Sequence, residues 1–67
     1  MEVRIKLAEL LEKKNMSQRE LSRLTGIRLA SINEMYNNDT SRLPLGNLAK
    51  ICEALSCKIQ DILKLEN

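Results

Sequence analysis

Residues 17–36, Ser17-Gln-Arg-Glu-Leu21-Ser-Arg-Leu-Thr-Gly26-Ile-Arg-Leu-Ala-Ser-Ile32-Asn-Glu-Met35-Tyr36, read as two short helices joined by a tight turn. Ser17, with Glu20 three residues on, forms a capping box: the hydroxyl accepts a first-turn backbone N–H while the carboxylate reaches back to the N–H of the cap residue. A helix is therefore predicted to begin at Gln18, with Leu21 and Leu24 on its apolar side. Gly26 supplies the positive φ that lets a chain leave a helix sharply without a Cβ clash. Ile27, Ile32 and Met35 then share one stripe of a second helix that can face the first. Arg28, Leu29, Ala30, Asn33 and Glu34 fall outside that stripe and face solvent or a ligand.

Working outward, Val3, Leu7, Leu10 and Leu11 recur with helical spacing and predict an amphipathic helix over 3–14, with Lys13 and Lys14 at its dipole-favoured end. Asn37-Asn-Asp-Thr-Ser41 is a run of turn-forming residues, so 37–43 is read as the main loop. Pro44 suits the start of a further helix carrying Leu45, Leu48, Ala49, Cys52 and Leu55. Ser56 and Cys57 interrupt it before a last short helix with Ile59, Ile62 and Leu63, where Asp61 lies in the first turn. Gly46 near the start of the fourth helix costs up to about 1 kcal/mol against Ala. The expected architecture is all-α: one domain over 1–67 with five helices, the second and third forming a helix-turn-helix.

A chain of 67 residues buries only about 60% of its unfolded surface, so its core must be packed economically. Phe, Trp and His are absent and Tyr36 is the only aromatic residue. That aliphatic composition suits helices and offers no stacking platform for single-stranded nucleic acid. Glu2, Arg4 and Lys6 at the start, with no long apolar run after them, argue against a signal peptide or membrane span, so a cytoplasmic location is expected. The net charge of +2 is unevenly spread: residues 13–42 carry a balance of +3 and the remainder −1. Positive potential is thus placed on the helix-turn-helix segment.

The ordered set Ser17-Gln18, Leu21, Gly26, Ile27 and Ile32 resembles the phage-repressor and Cro-type helix-turn-helix family, the xenobiotic-response-element class of regulators. The similarity extends through Arg42-Leu-Pro-Leu45, Leu48, Ile51-Cys52, Ala54-Leu55 and Asp61-Ile62-Leu63. It implies a double-stranded DNA-binding regulator, expected to be a repressor, whose third helix enters a major groove roughly 12 Å wide. On that reading Arg28 is the candidate for a bidentate guanine contact and Asn33 for adenine, with Leu29 and Ala30 against thymine methyl groups. Gln18 resembles the family residue that anchors a phosphate at a helix N-terminus. Arg19, Arg23, Asn37, Asn38, Thr40, Ser41 and Arg42 complete the expected backbone contacts. Arg19 and Arg23 could instead pair with Glu20, and a plain turn role competes at Asn37 and Asn38.

Four positions depart from the family pattern. Ser22 replaces the usual Ala where the two helices approach, and is small enough to keep that packing. Arg28 replaces the usual Ser or Thr cap of the recognition helix, forgoing about 1 kcal/mol. Leu29 and Ala30 stand where hydrogen-bonding readers are common, which admits a second reading: an antitoxin-like or other protein-interaction module on the same fold. A homodimer on a palindromic operator is a further candidate partnership, with Val3, Ile5, Ile59, Leu63 and Leu65 available as contacts. Cys52 and Cys57 lack the spacing and companions of a zinc site and read as structural thiols. Without His, a phosphate loop or clustered carboxylates no nucleophile has an activating base, so neither enzyme, metal nor cofactor is expected.

Overall fold

The structure, a computed structural model that describes residues 1–40 and 42–67, runs β1 (Glu2–Ile5), α1 (Leu7–Lys13), α2 (Gln18–Thr25), α3 (Leu29–Tyr36), α4 (Leu45–Leu55), α5 (Ile59–Ile62) and β2 (Leu63–Glu66). The five expected helices are present, but the all-α expectation is corrected by the antiparallel pair of β1 and β2. Residues 3–5 leave the predicted first helix for this ribbon, Lys6 caps the helix that follows, and Leu63 leaves the last. Glu2-Val-Arg-Ile and Leu63-Lys-Leu-Glu both alternate polar and apolar residues, which satisfies a strand of period two once a partner strand is available. The register sets Ile5 opposite Leu63 and Val3 opposite Leu65.

The core is wholly aliphatic apart from the Met35 thioether. Ile5, Leu7, Leu11, Leu21, Ile27, Ile32, Met35, Leu48, Ile51, Leu55 and Ile62 form one buried cluster, and no polar side chain is buried among the described residues. Each fully buried Leu or Ile contributes about 1.5–3 kcal/mol relative to exposure. α2 packs against α3 and α4, and α1 against α3 and α5. Several residues set on apolar helix faces lie outside it: Leu24 is 62% exposed and Leu45 80%, and Val3, Ala49 and Ile59 are exposed as well. Leu24 sits about 60° round the helix from Leu21, beyond the reach of the partners that enclose Leu21. Leu45 opens α4 one turn ahead of Leu48 and overhangs the core.

Helices α1 to α4 all end on a left-handed residue, at Asn15, Gly26, Asn38 and Ser56. For α1, α3 and α4 the following N–H returns to the carbonyl five residues back, Met16 to Leu11 (2.9 Å), Asp39 to Glu34 (2.9 Å) and Cys57 to Cys52 (3.0 Å). These are Schellman motifs, and in the last the usual apolar contact across the motif is made by two half-buried cysteines. Burial, and then the neighbouring Cys52, pushes the Cys57 thiol up from its ordinary value, which suits a structural role.

Asn38 does more than end α3. Its side-chain Oδ1 accepts the Ile5 N–H at 2.7 Å and its Nδ2 donates to the Ile5 carbonyl at 2.8 Å, imitating one residue of a neighbouring strand. The loop after α3 is thereby tied to β1. Replacing Asn38 by Gly keeps the left-handed backbone accessible but deletes both bonds, and should lower stability by about 1–3 kcal/mol in urea unfolding. Gly46→Ala should act oppositely: a Cβ there meets nothing within 4 Å, so a gain of up to about 1 kcal/mol is expected from helix propensity.

Candidate nucleic-acid interface

The start of α2 is fixed as its sequence demands. Ser17 Oγ accepts the Glu20 N–H at 3.1 Å, and the Ser17 N–H donates to Glu20 Oε1 at 3.3 Å. Glu20 is thereby engaged at the helix start and forms no ion pair with Arg19 or Arg23. At the other end Gly26 has φ +75° and its N–H donates to the Ser22 carbonyl at 2.8 Å.

Two hydroxyls brace the turn between α2 and α3. Ser22 Oγ donates to the Ile27 carbonyl at 2.6 Å. Thr25 Oγ1 donates to the Leu21 carbonyl at 2.7 Å and accepts the Ile27 N–H at 3.2 Å. Ile27 is thus held at both backbone polar groups while its side chain is buried. Ser22 is more than a tolerated substitute for a small residue, because its hydroxyl satisfies a carbonyl that Ala would leave without this donor.

α3 presents two unlike faces. Ile32 and Met35 are buried, while Arg28, Leu29, Ala30 and Asn33 are exposed. Arg28 precedes the first turn, and its side chain makes no capping bond, as its chemistry dictates. Surface hollows define the flanks of the exposed face. One is lined by Ser17, Gln18, Arg19, Leu29, Ala30 and Asn33. A second brings Arg19 and Arg23 beside Leu29. On the opposite flank Ser31, Glu34, Thr40, Arg42 and Asn47 line a third. Ser31 and Asn47 were not singled out from sequence. Ser31 follows Arg28 by one helical turn, a signal that was available; Asn47 is brought there only by the packing of α4.

Asn33 Nδ2 donates to Gln18 Oε1 at 3.3 Å, and Asn37 Nδ2 donates to Asn33 Oδ1 at 3.2 Å. This chain of carboxamides joins the start of α2 to the end of α3 across the exposed face. It leaves Asn33 one N–H and one lone pair free. In the loop, Thr40 Oγ1 accepts the Arg42 N–H at 3.3 Å and donates to the Arg42 carbonyl, which holds the backbone at the base of the exposed Arg42 side chain. Asn38 is committed to Ile5, and Ser41 lies outside the described residues. The ion pairs among the described residues are Arg4–Glu9 (3.1 Å) and Lys64–Glu66 (3.8 Å), so Arg19, Arg23, Arg28 and Arg42 pair with no described carboxylate. No group of His, Cys, Asp and Glu among the described residues could hold a metal ion, and no helix is long and apolar enough to cross a membrane.

Residues 6–67 match the family model of the Cro/C1-type HTH DNA-binding domain. The chain is also similar to the uncharacterized HTH-type transcriptional regulator YozG of Bacillus subtilis (strain 168), with 36% identity over 64 residues covering 96% of this chain and 76% of that relative.

Because space is open around Gly26, Gly26→Ala should cost stability through the left-handed backbone alone, about 1–2 kcal/mol. Ser22→Ala should cost about 1 kcal/mol through the lost bond to Ile27. Urea unfolding monitored by circular dichroism measures both.

Proposed function

This chain belongs to the Cro/C1-type helix-turn-helix DNA-binding family, and from that premise we propose that it is a sequence-specific, double-stranded DNA-binding transcriptional regulator, acting as a repressor. The observation that carries this reading is the exposed face of α3, flanked on both sides by polar groups and by arginines that pair with no carboxylate among the described residues. Such arginines lose little by exchanging water for phosphate, and release of condensed counterions from DNA then favours binding.

In the proposed complex α3 lies in the major groove. Arg28 pairs with guanine O6 and N7, and the free N–H and lone pair of Asn33 match adenine N7 and N6. Leu29 and Ala30 contact thymine methyl groups. Gln18, at the first position of α2, holds a phosphate with help from the backbone N–H groups of that helix end. Arg19, Arg23, Asn37, Thr40 and Arg42 grip the backbone on either side and set the register that lets α3 read bases. Repression follows from occupancy, since a protein seated on a promoter excludes polymerase. No reaction is assigned to the chain.

A second reading has its own support. Leu24 is 62% exposed and Leu29 40%, and such apolar residues at the surface suit a protein partner.

Titration of the protein with mixed double-stranded fragments at several salt concentrations separates the two readings. Binding that weakens steeply with salt is expected. Arg42→Ala should reduce the slope of log K against log salt by about one and weaken all sequences alike. Arg28→Ala should relax discrimination at one position by about 1–3 kcal/mol. A folded protein that binds no duplex even at low salt would sink the DNA reading and leave the protein-interaction module.

A further inference from the structure

We propose that Glu34 decides what the exposed face of α3 refuses: its carboxylate admits a base pair only where an exocyclic amine, cytosine N4 before all, is turned toward it. The inference rests on the DNA-binding reading and names a specificity-determining residue for that same face.

Position comes first. At about 100° of rotation per residue, the buried pair Ile32 and Met35 sets the inward direction of α3, and Ala30 lies within about 10° of the opposite, outward direction. Asn33 and Glu34 then stand about 50° to either side of it. A duplex close enough for Asn33 to touch a base therefore also meets Glu34. Both side chains are exposed, and Glu34 lines the hollow that holds Ser31, Thr40, Arg42 and Asn47. Its backbone is fixed, because its carbonyl accepts the Asp39 N–H at 2.9 Å.

The fold gives no reason for a charge at this position. Glu34 sits in the last turn of α3, where the negative end of the helix dipole disfavours a carboxylate and no basic residue offsets it. In the Schellman motif that ends α3, Glu34 and Asp39 occupy the two places where apolar side chains usually meet. Among the described residues the Glu34 carboxylate forms no ion pair, even with Arg42 on the same hollow. Local rules broken without a compensating contact are the mark of a functional position.

The chemistry of the major groove then chooses the base. A carboxylate only accepts hydrogen bonds, and guanine N7 and O6 and thymine O4 only accept as well. Facing any of these, or a phosphate, Glu34 would bury an unpaired negative charge beside a lone pair. Adenine carries a donor at N6 but an acceptor at N7 beside it. Cytosine presents its N4 amine with no acceptor next to it on its own edge, so it alone matches the carboxylate. Glu34 thus weakens attraction to DNA in general while sharpening discrimination, a pair of opposite effects that a phosphate-gripping side chain does not give.

Selection from a duplex library with a randomised central segment, followed by titration of the selected duplex with each base pair at each position, tests the assignment. The native protein should select cytosine at one position. Glu34→Gln should move the preference there to adenine, which a carboxamide pairs at N6 and N7, and Glu34→Ala should leave no preference there. In both variants discrimination for cytosine at that position should fall at least roughly fivefold, while binding to mixed duplex tightens and the guanine preference assigned to Arg28 persists. Their unfolding midpoints in urea should equal or exceed the native one, since the helix end loses an unfavourable charge. Cytosine preference that survives either substitution, relaxation at every position together, or a fall in stability that exposes Glu34 as a fold contact would each overturn the proposal and leave DNA binding in place. A native protein that binds no member of the library at low salt would overturn it together with the DNA-binding reading.

Discussion

The left-handed backbone at Gly26 is the constraint from which the rest follows. It stops α2 and aims the chain so that Ile27 enters the core and α3 can pack on α2. A helix pair set at another angle would separate Leu21 from Ile32, both of them fully enclosed. Because a domain of this size has only a few kcal/mol to spare, the turn is not left to glycine alone. Ser22 and Thr25 bind the backbone of Ile27 on both sides, so the conformation is specified by covalent geometry, hydrogen bonding and burial together.

Rigidity at that turn serves the surface as much as the core. The buried stripe of α3, Ile32 and Met35, fixes the rotation of the helix about its own axis. Arg28, Leu29, Ala30 and Asn33 must then point outward. The carboxamide chain from Gln18 through Asn33 to Asn37 lies along this exposed face and links two helices whose relative position the turn has already set. The polar surface inherits its geometry from apolar packing beneath it.

The two-stranded ribbon is coupled to the same surface through one side chain. Asn38 ends α3, opens the loop that carries Thr40 and Arg42, and holds Ile5 of β1 by both backbone groups. Anything that steadies the ribbon therefore steadies the base of that loop. Ile5 and Ile62 are buried on the core side of this junction, so the two ends of the described chain are drawn into the same hydrophobic cluster as the helices.

Interactions within about one helical turn were legible in the sequence: the Ser17–Glu20 box, the Gly26 exit, the stripe Ile27, Ile32 and Met35, and the start of α4 after Pro44. Their partners lie a few residues away and need no knowledge of the fold. The strand pairing, by contrast, joins residues at opposite ends of the chain. Val3 fits a helical repeat with Leu7, Leu10 and Leu11 until Leu65 arrives to pair with it. Asn38 reads as a turn residue because its acceptor and donor on Ile5 are invisible locally. Leu24 and Leu45 look like core because periodicity predicts a face but not where the packing partners stop. The sequence by itself determined the helix-turn-helix, whose signals are short-range. Only the tertiary structure decided the ribbon, the role of Asn38 and that the four arginines form no ion pair among the described residues, because each depends on groups that folding alone brings together or keeps apart.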